Sequence, residues 1–439
     1  MLRIAIPLAL AELGWMFMGV VDTIMVGHLP DSAVSIGAAS IGNALFYGFT
    51  TFGLGLMAGL DTVVSHAFGA DDWPRARRAL ASGLGLAVWV LPLIAGGILA
   101  TGPLLGLVGV REPVLGLAIG YVRIAVTGLP PLFLYSVLRR YIQALHHVRP
   151  ITFALITANL VNVFGNWLLI FGHWGFPALG VRGSAISTVA ARIYLALVLF
   201  VAVRLHDPAA FVHIRELFRG ARELLRLGLP AALTIGFEIG VFQVATTIAG
   251  TLDPMSLAAH TIALNADAVT YMIPLGISSA AAVSVGRALG ASDRVKARMA
   301  GWTAIALGLG FAVLTALCFL IFPKQIAGLY TGDQGTISLA TPLFGIAALF
   351  QVFDGIQIIS TGALRGLGNT RTAMVWNLLG YWLIGLPLGC WLCFSRGWGI
   401  VGLWSGLCLA IMLTAYGLSS KWNTQSMYLT NDHSYFIID

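Results

Sequence analysis

Of 439 residues, 58% are apolar and only 10% carry charge, against about 25% in an ordinary soluble domain. A soluble fold of this size must coat its surface with charge, so soluble enzymes, nucleic-acid binders and secreted disulfide scaffolds are excluded. The apolar residues, about 255 of them, would furnish around twelve bilayer spans of roughly 20 residues each. The net charge of +7 does not point to nucleic acid, because the bases are scattered in short loops rather than gathered into a patch.

Between charged or Gly/Pro-rich breaks, apolar segments are predicted near 4–28, 34–68, 79–101, 113–138, 151–172 and 180–203, then near 227–251, 256–286, 299–322, 336–364, 372–394 and 399–420. Segments longer than 25 residues imply tilt rather than extra spans. Arg3 leads into an apolar stretch that runs past Gly27, too long for a cleavable leader. With both termini on the cytoplasmic side, nineteen of the 25 Lys and Arg residues fall in inner loops or at the two ends (Arg3, Lys421) and four (Arg111, Arg182, Lys324, Arg396) in outer loops. That asymmetry is what the positive-inside rule requires. Arg139 and Arg140 are assigned here to an inner loop, and Arg123 and Arg192 to spans.

The chain repeats itself. Ile4–Pro7 recurs as Leu227–Pro230, an offset of 223, and Phe68–Arg77 recurs as Leu289–Arg298, an offset of 221. Six spans separate the copies, so the repeat is parallel, an arrangement common in transporters. The expected fold is all-α: a polytopic membrane protein of twelve transmembrane helices in two pseudo-symmetric six-helix bundles. The expected lobes are 1–213 and 214–422, followed by a polar tail, 423–439. A basic, amphipathic linker at 205–226 is expected to lie on the membrane surface. Pro7 and Pro230 are read either as bending points or as helix starts.

A charge at mid-bilayer costs at least ~2.5–3.5 kcal/mol, so one that persists has a function or a partner. Six acids fall within the predicted spans: Glu12, Asp22, Asp61, Glu238, Asp267 and Asp354. Against Arg123 and Arg192 they leave a balance of −4, which favours cations over anionic substrates. At 1.5 Å per residue, Glu238 lies roughly 18 Å from Arg226 and Asp354 roughly 16 Å from Arg365, both near mid-bilayer. Asp354, Gln357 and Thr361 share one helical stripe of oxygen-bearing side chains. Asn265 and Asp267, two residues apart, point to opposite sides unless Pro274 distorts their helix. The aromatics Trp15, Phe237, Phe242, Tyr271 and Phe350 flank the acids and suit a flat lipophilic cation. Cys390 and Cys393 form a CxxC with neither a second pair nor a histidine at zinc spacing, and are read as buried hydrophobes. Neither GxxxxGK[ST] nor HExxH occurs, which argues against an ATP-driven pump and a metalloenzyme.

These segments together resemble the multidrug and toxic compound extrusion (MATE) family. The resemblance is carried by Met18–His28 in span one, Gly59–Ala70 in span two and Ala258–Ala291 in span eight. Gly362–Asn369 and Gly380–Gly389 in spans ten and eleven complete it. It implies the MATE/MOP fold and is nearest to the NorM-like branch, whose ion-coupling and cation-binding positions fall on Asp22, Glu238 and Asp354. Glu238 and Asp354 would also supply ligands to Na⁺. Asn265 stands where eukaryotic members have Glu, and Asn159, Asn162 and Asn166 lie where another branch has a functional Asp. Asp61, Asn265, Asp267, Tyr271, Gln357, Thr361, Asn159 and Asn162 are candidate cavity-lining residues.

The resulting expectation is a secondary antiporter in a bacterial inner membrane, not an enzyme, that exports organic cations against Na⁺ or H⁺ through rocking alternating access. It would work as a monomer with membrane lipid around it and without a cofactor. A flippase for lipid-linked saccharides and a polytopic membrane enzyme are the alternatives. The first would want a basic cavity, and the second a ligand cluster that the sequence lacks.

Overall fold

The computed structural model describes residues 1–107 and 111–431. The predicted spans all fall on helices: α1 (Leu2–Val26), α2 (Ser32–Gly69), α3 (Trp73–Leu107), α4 (Val114–Thr127 with Leu129–Ala144), α5 (Arg149–Phe171) and α6 (Val181–His206). The second half supplies α7 (Ala221–Leu252), α8 (Pro254–Gly290), α9 (Arg294–Ile321), α10 (Gln334–Gly366), α11 (Arg371–Ser395) and α12 (Gly399–Asn431). Among the described residues eleven are long and apolar enough to cross a membrane singly, and the bent pair of α4 makes the twelfth. The 45° bend of α4 falls at Gly128, just before Pro130 and Pro131, whose rings and missing N–H groups interrupt the helical ladder. In α11, π-helical stretches at Leu378–Gly385 and Trp391–Ser395 flank Pro387, the local rewinding that frees a helix to accommodate such a residue.

Three expectations change. Pro7 and Pro230 lie inside α1 and α7, so neither starts its helix. The polar stretch from 423 is no tail up to Asn431: it continues α12, where Gln425 accepts a hydrogen bond from Asn369 Nδ2 at 3.2 Å and Ser426 is buried. Residues 432–439 lie outside the described residues. The linker stretch at 205–226 is narrowed rather than overturned: turns and a single 3₁₀ turn (Ile214–Glu216) separate α6 from α7, and its last residues from Ala221 already belong to α7.

The chain divides into two compact units. One comprises Leu10–Phe68 and Asp72–Ala232; the other comprises Met1–Ala9, Gly69–Asp71 and everything described from Leu233. The division falls within α7, later than 213/214, because the linker packs on α3. Gly220 N donates to Ser82 Oγ at 3.0 Å, and Asp207 is bound by groups from α3 and α4. Within the unit from Leu233, α8 and α10 meet backbone to backbone. A Cβ on Gly362 would lie 2.3 Å from Ser278 O, and Ser278 Oγ donates to Ile358 O at 2.7 Å. Small residues at a close crossing are how helices associate where lipid is as apolar as their side chains.

Asp207, which caps α6, fastens one end of its unit. Arg77 donates to both carboxylate oxygens, Nη2 to Oδ1 at 2.7 Å and Nε to Oδ2 at 3.0 Å, and Tyr141 OH donates to Oδ2 at 2.6 Å. Burial alone would push the carboxyl up, but these hydrogen bonds and the Arg77 charge prevail and hold it below its usual range. A depressed carboxyl contributes its full stability above the ordinary value of 3.8 and loses it as pH falls through the lower folded-state value. Asp207→Asn is therefore expected to cost about 3 kcal/mol at neutral pH, the range for breaking a buried ion pair. Melting curves in detergent should show the gap between variant and wild type closing as pH falls below 3.8; a gap independent of pH would assign the loss to packing.

Candidate functional site

The six acids of the spans fall into three kinds of surroundings. Glu12 on α1 pairs with Arg139 Nη2, and Asp61 on α2 pairs with Arg140 Nη1. Both arginines belong to the second half of α4, not to a loop, and expose a fifth or less of their side chains. The balance of −4 is thereby corrected: two of the six acids carry their own counter-charges. Asp61 is bound into this pair rather than set among the other candidate residues.

The hydrogen bonds to Asp22 on α1 come from neutral donors alone among the described residues. Asn162 Nδ2 and Asn166 Nδ2 on α5 donate to Oδ1 at 3.0 and 2.6 Å, and Thr188 Oγ1 on α6 donates to Oδ2 at 2.7 Å. The aspartate is 4% exposed. Asn166 also donates to Asn162 Oδ1 at 3.3 Å, and its own Oδ1 has no hydrogen-bond partner among the described residues. Asn159, one turn away, donates to Gly14 O at 2.9 Å and so ties α5 to α1 rather than reaching Asp22. Arg192 in the same unit is buried with its guanidinium 4.1 Å over the Phe46 ring and Nη1 3.5 Å from Ala125 O.

Glu238, Asp267 and Asp354 lie in the other unit, on α7, α8 and α10. Tyr271 OH donates to Glu238 Oε1 at 3.2 Å, and Gln351 Nε2 donates to Asp267 Oδ1 at 2.6 Å. Asp354 lies one helical turn beyond Gln351 on α10 and has no hydrogen-bond partner among the described residues while being 4% exposed. None of the three makes an ion pair among those residues. No three His, Cys, Asp or Glu residues there are grouped as a metal site.

The stripe on α10 is divided. Gln357 accepts from Tyr381 OH at 2.9 Å and donates to Asn377 Oδ1 at 3.3 Å, so it fastens α10 to α11. Thr361 Oγ1 is buried without a partner among the described residues. Asn265 is exposed and donates to Thr261 O at 2.9 Å. Despite Pro274, α8 keeps it on the side opposite Asp267. Gln351 and Thr188 were not singled out from the sequence; each is an ordinary polar residue whose role appears only when its helix meets the acid. Around the cluster Phe242 lies 6.1 Å from Phe350 and 6.2 Å from Tyr381, ring centre to ring centre. Trp15 stacks instead on Tyr135, at 5.9 Å in the first unit.

A family model described as MatE matches the chain twice, over residues 7–168 and 230–391, so Pro7 and Pro230 open the two copies. The multidrug resistance protein NorM of Burkholderia vietnamiensis is 36% identical over 442 residues, which cover 97% of this chain and 94% of that one. The probable multidrug resistance protein NorM of Burkholderia mallei is also 36% identical, over 97% of this chain and 92% of its own. The crystal structure of the eukaryotic MATE transporter AtDTX14 shares the fold, with a TM-score of 0.86 over 98% of this chain and 97% of that chain at 22% identity. With its model repeated along both halves and relatives aligned over nearly their whole length, the chain belongs to the MATE family of membrane transporters.

Proposed function

We propose that this transporter is a multidrug exporter that expels lipophilic organic cations in exchange for Na⁺ or H⁺, from a bacterial inner membrane with both its termini in the cytoplasm. The observation that carries the reading is the trio Glu238, Asp267 and Asp354: two buried acids and one half-buried, without an ion pair among the described residues. Two of them are fully or nearly enclosed, and an uncompensated charge of this kind is retained in a membrane for function. The relatives named above are called multidrug resistance proteins, which accords with cations of varied shape as substrates. The aromatic rings of Phe242, Phe350 and Tyr381 beside the acids offer stacking and cation–π contact.

The exchange follows from electrostatics. An organic cation and a coupling ion each neutralise carboxylates, so each disfavours the other. Loading with H⁺ or Na⁺ from outside releases the drug outward, and the emptied acids recruit the next cation from within. Asp22 is a second coupling position. Its partners are neutral amides and a hydroxyl, so an incoming ion has no fixed cation to displace from the carboxylate.

Glu238→Gln is expected to abolish drug-driven ion exchange while the melting temperature stays near wild type, because Gln keeps the shape but holds neither a removable proton nor a charge. Wild-type exchange in proteoliposomes containing the Gln variant would make Glu238 structural. Asp354→Asn should weaken ion-dependent drug release more than drug affinity. Release measured across Na⁺ concentrations and pH values would show this as a flattened response, and an unchanged response to both would remove Asp354 from the ion site.

Charge sign supplies a third test. Lipophilic cations should displace a bound fluorescent cation at neutral pH, and anions matched in size should not. Acidification, which neutralises carboxylates, should narrow the difference. Equal displacement by the anion at neutral pH would overturn the acidic-site reading and bring the saccharide flippase forward.

A further inference from the structure

A second feature of the unit from Leu10 lies apart from its buried acids. Where the start of α7 crosses α2 and α3, a cavity of about 270 Å³ is lined by Arg75, Arg78 and Ser82 on one side and by Arg219, Gly220 and Glu223 on the other. Three guanidinium groups face one carboxylate there. The back wall is firm: Gly220 N is bonded to Ser82 Oγ at 3.0 Å. A Cβ on Gly85 would sit 2.0 Å from Leu217 O, so the linker backbone rests directly on α3 and only glycine fits between.

The bases are held loosely by comparison. Arg75 Nη2 is 3.3 Å from Glu223 Oε1 with both side chains about half exposed, and Arg219 Nη1 is 3.3 Å from Glu216 Oε2 with the arginine three-quarters exposed. Exposed pairs of this length contribute little, which leaves the guanidinium groups available to a stronger acceptor. Arg78 donates Nε to Pro74 O at 3.3 Å, and its remaining donors have no carboxylate partner among the described residues. Planar guanidinium forks match phosphate oxygens in geometry as well as charge.

An independent observation identifies the kind of phosphate. Trp89, farther along α3, meets Phe218 edge to face with centroids 6.2 Å apart, and Phe218 directly precedes Arg219. Both rings are more than half exposed, as are Leu205 and Val212 nearby in the chain. Free phosphate gains nothing from such a surface, whereas a lipid whose headgroup sits among the arginines would lay its acyl chains on it. Basic pockets beside spanning helices bind phosphate headgroups in this way.

We propose that the cavity binds the phosphate of an anionic phospholipid, with Arg75, Arg78 and Arg219 as its ligands and Trp89 and Phe218 against its acyl chains. Glu223 competes with the headgroup for Arg75. The assignment stands apart from the transported substrate and the coupling ion.

Native mass spectrometry of the full-length protein in detergent tests it, with phosphatidylglycerol and phosphatidylcholine of identical acyl chains as probes. Wild type should retain phosphatidylglycerol in preference to phosphatidylcholine. Arg75→Gln, Arg78→Gln and Arg219→Gln should each weaken retention about fivefold, Glu223→Gln should strengthen it, and Trp89→Ala should weaken it for both lipids. A control carrying Arg149→Gln, Arg204→Gln and Arg215→Gln changes the net charge by as much as the three pocket variants combined, and should retain phosphatidylglycerol as wild type does. The single variants keep the test readable if the combined pocket variant does not fold. Equal loss in the control would show diffuse surface attraction, and displacement by inorganic phosphate as effective as by the lipid would show a site for phosphate alone. Either result overturns the proposal, as does undiminished retention in the three single variants.

Discussion

The cost of placing a charge where water cannot reach it governs this molecule more than any single contact. A protein can meet that cost with an opposite charge, with hydrogen bonds from neutral groups, or by keeping a group that exchanges its charge with a ligand. The first two occur here, and the third is the one proposed for an acid that has neither. Glu12 and Asp61 have arginines from α4, Asp22 has two asparagines and a threonine, and Asp354 has neither ion pair nor hydrogen bond among the described residues. The long helices are the framework that makes these choices possible, since each satisfies its own backbone and leaves side chains alone to settle the charge.

The two copies of the repeat have met this constraint differently. In the unit from Leu10 three acids are compensated, two by ion pairs and one by neutral donors. In the unit from Leu233 three acids share a region, and among the described residues the hydrogen bonds to them come from Tyr271 and Gln351 alone. Repeated sequence thus preserves the course of the chain, as the paired matches at 7–168 and 230–391 record, while the electrostatics of the halves have diverged. Tyr381, Gln357 and Asn377 show a further difference: a side-chain relay between α10 and α11 beside the acids, made where α11 is wound as a π-helix from Leu378.

The spans and the repeat were legible because they are written in runs of twenty residues and in the position of bases, signals that survive any detail of packing. The charge pairs were not. Arg139 and Arg140 follow an apolar run, where a base ordinarily marks the membrane edge, yet α4 continues to Ala144 and carries them to acids 127 and 79 residues away. Helical spacing separated Asn265 from Asp267 correctly, and the distortion invoked from Pro274 to reunite them did not occur. Asp22, Glu238 and Asp354 were recognisable as acids out of place, and the repeat puts Asp22 in the other half from the remaining two, but the sequence does not show that its partners are neutral donors. Gln351 and Thr188 carried no signal, because a neutral polar residue becomes informative only through what it touches.

The kind of partner determines which acids can take part in exchange. An arginine bonded to a buried carboxylate remains charged through any cycle near neutral pH, so a second cation arriving at Glu12 or Asp61 must first expel a fixed one and strand it in an apolar medium. That penalty is of the same order as the binding it would permit. Amide and hydroxyl partners impose no such barrier. An asparagine that donates Nδ2 to an empty carboxylate can turn Oδ1 toward a carboxylate that holds a cation, and Asn166 Oδ1 has no other hydrogen bond to give up. Thr188, a donor to Asp22, is likewise an acceptor by a rotation of its hydroxyl. In the proposed exchange, Glu12 and Asp61 would therefore serve the helices that carry them, and reversible ion chemistry would fall to Asp22 in one unit and to Glu238, Asp267 and Asp354 in the other.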